Sequence, residues 1–102
     1  MARYKSRAKR RATMQTLIYE APQLRLIIYA RSGGRCFYCG ALTALALGTM
    51  DHRVPIQRGG QTEVSNLVWA CREDNIAKGH LSLAEYRAHV NAGTPFWGEQ
   101  RR

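Results

Sequence analysis

Two short turns rich in metal-ligating residues, Cys36-Phe37-Tyr38-Cys39 and Cys71-Arg72-Glu73-Asp74, constrain this chain more than any other feature. Each places its potential ligands three residues apart, so one turn can grip an ion from two sides. Thiolates and a carboxylate are all acceptable zinc ligands, and a structural zinc takes four in a tetrahedron. If both turns hold one zinc, everything between them is a closed loop with its ends fixed together. The competing reading is that the cysteines are only small buried hydrophobes. Glu73 and His80 are nearby substitutes for the fourth ligand.

The chain has 102 residues, enough for one small domain whose core is marginal without a staple. Three cysteines do not close a disulfide framework, which fits a reduced, cytoplasmic setting. The charged start is not followed by an apolar signal-peptide core, and no apolar stretch is long enough to cross a bilayer. A thioredoxin-like redox site is disfavoured, because Cys36-x-x-Cys39 does not open a helix in a βαβ pattern.

Lys and Arg total 16 against 7 Asp and Glu, a formal charge of +9. The excess is clustered. Arg3, Lys5, Arg7, Lys9, Arg10 and Arg11 crowd residues 1–12, which read as a basic arm ahead of a single domain over 13–102. Such clusters attract phosphate backbones without reading sequence. A membrane surface is the poorer partner, because no lipid-facing apolar helix adjoins the basic run.

Local signals then divide the chain. Pro22 can open a helix carrying Leu24, Ile27, Ile28 and Arg31 at helical spacing, and Ser32-Gly33-Gly34 ends it. Leu42–Met50 is apolar without a clear period, and its position between knuckle and turn predicts a strand over Leu47–His52. Val64–Trp69 forms a second apolar element. Cys71–Lys78 reads as a short helix closed by Gly79. Ser82 and Glu85 form a capping-box pair that opens a last helix through about Val90. Gly93-Thr94-Pro95 ends it, and Phe96-Trp97 is placed to fold back onto the core. Phe37 and Tyr38 read as packing residues beside the knuckle.

Between the knuckles lie Asp51-His52, Asn66 and, on the short helix, Asn75. Carboxylate and amide oxygens suit a hard cation such as Mg²⁺ or Mn²⁺, whereas sulfur favours zinc. An imidazole beside the carboxylate can take a proton from water. Each of these asparagines is also a common turn or cap residue.

Taken in order, Cys36-x-x-Cys39-Gly40, Asp51-His52-Arg53-Val54-Pro55, Gly59-Gly60, Asn66-Leu67 and Cys71-x-x-Asp74-Asn75-x-x-Lys78-Gly79 resemble the HNH endonuclease family. The likeness runs from about Arg31 to Ser82. It implies an α+β fold: a small ββα-metal core stapled by a structural zinc, with flanking N- and C-terminal helices. It also implies metal-dependent hydrolysis of phosphodiester bonds, usually in double-stranded DNA. His52 matches the general base, Asp51 and Asn75 the ligands of the catalytic divalent ion, and Asn66 the residue that holds the loop and orients the histidine. Lys78 matches a basic position near the phosphate, and Arg53 is a further nucleic-acid contact. Cys36, Cys39, Cys71 and Asp74 match the zinc ligands, except that the family commonly has cysteine where this chain has Asp74. A module this small is expected to gain specificity from a partner protein or a homodimer. The alternative is a zinc-knuckle nucleic-acid binding module without cleavage.

Overall fold

The computed structural model describes residues 21–91 and 93–100. The basic arm, with its expected phosphate contacts Arg3, Lys5, Arg7, Lys9, Arg10 and Arg11, lies outside the described residues. The fold is a small α+β arrangement around one two-stranded antiparallel sheet.

Helix α1 (Pro22–Ser32) begins at the proline, whose fixed φ and missing N–H suit a first helical position. It stops at Gly33, which takes the left-handed conformation (φ 67°) and donates back to the Ala30 carbonyl. Strand β1 (Thr49–His52) pairs with β2 (Leu67–Ala70), with Met50 opposite Trp69, Asp51 opposite Val68 and His52 opposite Leu67. Helix α2 (Arg72–Lys78) is capped by the Cys71 sulfur, which accepts from the Asp74 N–H at 3.4 Å. Helix α3 (Leu83–Asn91) opens on the expected capping box: the Glu85 N–H donates to Ser82 Oγ at 3.1 Å, and the Ser82 N–H donates to Glu85 Oε1 at 2.9 Å. A last turn, α4 (Trp97–Gln100), follows the buried Phe96.

Every residue of β2 is buried, because both faces of the hairpin are covered. Leu67 and Trp69 pack with Met50 and with Ile28 from α1. Val68 and Ala70 face the other way, into a cluster of Cys36, Tyr38, Tyr86 and Phe96. Tyr38 and Phe96 meet edge to face with centroids 4.9 Å apart. The second cluster ties the knuckle, the sheet, α3 and the C-terminal segment into one body.

The first strand is shorter than the apolar run predicts. The strand starts at Thr49, not Leu47, and Ala44–Leu47 forms a turn whose Leu47 side chain is exposed. The second element begins as a 3-10 turn (Val64–Asn66) before β2. Both offsets arise because hydrophobicity without a period marks an element but not its ends.

Candidate metal and nuclease site

Opposed residues in an antiparallel pair share a sheet face, so Asp51 lies on the Val68 side and His52 on the Leu67 side. They nevertheless line one cleft of about 430 Å³, together with Asn75 from α2, Pro55 and His80. That cleft therefore follows the edge and end of β1 rather than either face. The order Asp-His on the strand and Asn on α2 brings the three residues to the wall of one cleft.

Asp51 is 7% exposed. Its Oδ2 accepts from the Tyr38 hydroxyl and lies 3.3 Å from the Lys78 ammonium. Burial pushes the Asp51 carboxyl above the usual range, against the pull of Tyr38 and Lys78. Lys78, expected near the phosphate, is instead buried, at 1% exposure. Its ammonium also donates to the His52 carbonyl at 2.9 Å. An ammonium between a buried carboxylate and a strand carbonyl satisfies both, which is why a lysine is tolerated there.

The His52 ring is set by Thr62, whose Oγ1 lies 2.8 Å from Nε2. Burial lowers the His52 pKa, Lys78 acts in the same direction, and the Asp51 charge opposes them. The neutral imidazole is thereby favoured near pH 7.

Asn66 holds the loop that carries Thr62. Its Oδ1 accepts from the Val54 N–H at 2.9 Å, and its Nδ2 donates to the carbonyls of Val54 (3.1 Å) and Gln61 (2.8 Å). The glycine pair makes this possible. Gly59 has φ 92°, and a Cβ on Gly60 would sit 1.8 Å from the Val54 oxygen. Asn66 thus fixes the loop after His52, while Thr62 touches the ring.

The four zinc-ligand candidates also converge. One ligand atom from each of Cys36, Cys39, Cys71 and Asp74 lies within 4.8 Å of the others. A tetrahedral zinc with ligands about 2.0–2.3 Å away needs such a spacing, so the donor set fits that ion in size and chemistry. Asp74 divides its oxygens. Oδ2 accepts from the Cys36 and Cys71 thiols at 3.3 and 3.1 Å, and Oδ1 accepts from the Tyr86 hydroxyl at 2.6 Å. Burial alone would raise the Asp74 pKa, but the hydrogen bonds from Tyr86 and the thiols hold it below the ordinary carboxylate value. Burial pushes the Cys36 and Cys71 thiols up, so cation binding there must displace protons. Glu73 and His80, considered as substitutes, stand outside this group.

Residues 36–81 match the HNH endonuclease family. The chain is also similar to the Type II-C Cas9 enzyme from Actinomyces naeslundii, with a TM-score of 0.61 and 25% sequence identity. The alignment covers 92% of this chain and 11% of the Cas9 chain. No curated protein matches. No helix among the described residues is long and apolar enough to cross a membrane.

Four residues contribute to the site in ways that the sequence did not announce. Tyr38 packs in the aromatic cluster as expected and also donates to Asp51, and the exposed His80 lines the cleft. Thr62 and Tyr86 carried no motif at all. Each acts through a contact between positions distant in sequence, or lines a space that exists only after folding. Arg53, expected as a nucleic-acid contact, does not line the cleft; its guanidinium lies 5.6 Å from the centre of the Phe37 ring.

Proposed function

We propose that this chain is a metal-dependent endonuclease that hydrolyses phosphodiester bonds in DNA. The observation that carries the reading is the convergence of Asp51, His52 and Asn75 on one cleft in a chain of formal charge +9.

Asp51 and Asn75 would hold a divalent ion such as Mg²⁺ or Mn²⁺, leaving further positions to water and substrate as these ions require. When bound, the ion supplies charge stabilisation to the phosphate. His52 accepts a proton from water as the water oxygen bonds to phosphorus. The bond to the leaving sugar oxygen breaks with its electron pair, and that oxygen takes a proton from solvent. Thr62 keeps the imidazole oriented. Tyr38 and Lys78 fix the Asp51 carboxylate by engaging one of its oxygens. Lys78 acts on the carboxylate, and the arm cations Arg3, Lys5, Arg7, Lys9, Arg10 and Arg11 supply non-specific attraction to DNA. Cys36, Cys39, Cys71 and Asp74 would bind a structural zinc that clamps the knuckle to α2 and so sets the position of Asn75.

Replacing His52 with alanine tests the assignment. The variant is expected to bind plasmid DNA as the native chain does, but to leave it supercoiled in the presence of Mg²⁺ or Mn²⁺. Undiminished nicking would defeat the assignment. A native chain that shifts DNA on a gel yet never nicks it would be a binding module instead.

A further inference from the structure

Two tyrosines join the knuckle to the cleft. Tyr38 stands inside the knuckle itself, between Cys36 and Cys39. Its N–H donates to the Cys36 sulfur at 3.4 Å, and its hydroxyl donates to Asp51 Oδ2. Tyr86, from α3, donates its hydroxyl to Asp74 Oδ1 at 2.6 Å. The two rings meet edge to face with centroids 5.4 Å apart. One packed pair of rings therefore ends on a carboxylate of each candidate metal group, Asp51 in the cleft and Asp74 at the knuckle.

The bridge is held on all sides. Both tyrosines are buried. The Phe96 ring packs on each, edge to face on Tyr38 and stacked on Tyr86 with centroids 5.7 Å apart. The Tyr38 carbonyl accepts from the Trp97 N–H at 3.2 Å, which fixes the knuckle backbone from the C-terminal side. Rings enclosed in this way do not leave their acceptors unless the core opens. The second cleft ligand is tied to the knuckle as well. Asn75 directly follows Asp74, and its N–H donates to the Cys71 carbonyl at 3.0 Å.

From this the geometry points to an energetic link between the two metal groups, with Tyr38 as the positioning residue that transmits it: zinc at the knuckle tightens the hold of the cleft on its divalent ion, and the reverse. With zinc bound, the Cys36 sulfur is a thiolate, a stronger acceptor for the Tyr38 N–H than a thiol. That fixes the backbone of Tyr38, and with it the hydroxyl that sets the Asp51 carboxylate. Hydrogen bonds to a metal ligand from the groups around it change metal affinity by about 10–100-fold. The effect is mutual by thermodynamic necessity, so an ion that sits better in the cleft when the knuckle is filled must strengthen zinc binding by the same factor. The link rests on the reading of the cleft as a divalent-ion site.

The test follows zinc rather than cleavage. Native full-length protein loaded with zinc is equilibrated with a chromogenic zinc chelator that does not bind Mg²⁺. Zinc transfer is measured with and without saturating Mg²⁺, a hard ion that thiolates do not take, at constant ionic strength. Mg²⁺ is expected to raise the zinc affinity by about 5-fold or more, the lower end of ordinary coupling between sites. The effect is expected to vanish in Tyr38→Phe, which keeps the ring and its packing, and in Asn75→Ala, which removes a cleft ligand. A native zinc affinity that ignores Mg²⁺, an equal effect in Tyr38→Phe, or an effect that survives Asn75→Ala overturns the link, and so does a chain that takes up no zinc. Native nicking of plasmid without the Mg²⁺ effect would remove the link alone, whereas the effect without nicking would remove the nuclease reading alone.

Discussion

At the scale of single residues, the cleft depends on contacts that hold its reactive groups in place. Thr62 is the clearest. It touches His52 Nε2 and nothing in the motif announces it. Thr62→Val is expected to lower kcat by up to about 100-fold through misorientation of the imidazole, with KM for DNA unchanged, and Thr62→Ser to restore most of the rate. Equal rates for the valine variant and the native chain would show that the contact is incidental. As the proposed base, His52 would also set the acid limb of the pH profile. Because burial lowers its pKa, the neutral base persists to pH values below the ordinary value of about 6.5. At saturating metal, kcat/KM should stay level through neutrality and fall only as pH drops through a point below that value. An inflection above it would contradict the buried setting of His52.

At the scale of elements, the local signals carried far. Pro22 and Gly33 bound α1, Ser82 and Glu85 cap α3, and Gly79 closes α2, because each signal and its effect lie within one turn of chain. The Asp51, His52, Asn66 and Asn75 order was legible through its resemblance to the HNH family rather than through local signals, and three of the four, Asp51, His52 and Asn75, line one cleft. What the sequence could not show were the cross-element bonds, Tyr38 and Lys78 to Asp51, Thr62 to His52, and Tyr86 to Asp74. Residues so far apart in sequence leave no periodic trace. Two of these elements yield direct tests. In the loop, Gly60→Ala puts a Cβ against the Val54 oxygen. It should cost about 1–3 kcal/mol, read as a fall in Tm of roughly 4–8 °C per kcal/mol for a chain of this size. An unchanged Tm would mean that the loop yields freely. At the knuckle, Tyr86→Phe removes the hydroxyl that orients Asp74, and should weaken zinc binding about 10–100-fold in a chelator competition. In an Asp74→Cys background the same change should do nothing, because the carboxylate it supports is gone. Equal losses in both backgrounds would assign Tyr86 to packing instead.

At the scale of the whole molecule, the fold is a clamp. The knuckle, sheet and α2 meet at the cysteine and aspartate group, and the hairpin edge with α2 forms the cleft. A two-stranded sheet has too little surface to support itself. Burial of both its faces under α1 and the aromatic cluster therefore has to fix the strand that carries Asp51 and His52. The site is thus a property of the packed whole, although its residues were named one by one from the sequence. The most direct test is an anomalous diffraction experiment at the manganese edge on crystals soaked in Mn²⁺. A peak is expected in the cleft, within coordinating reach of Asp51 and Asn75 and beside His52. No peak there at saturating Mn²⁺, in crystals of protein that nicks DNA, would contradict the claim that these three side chains serve one cation.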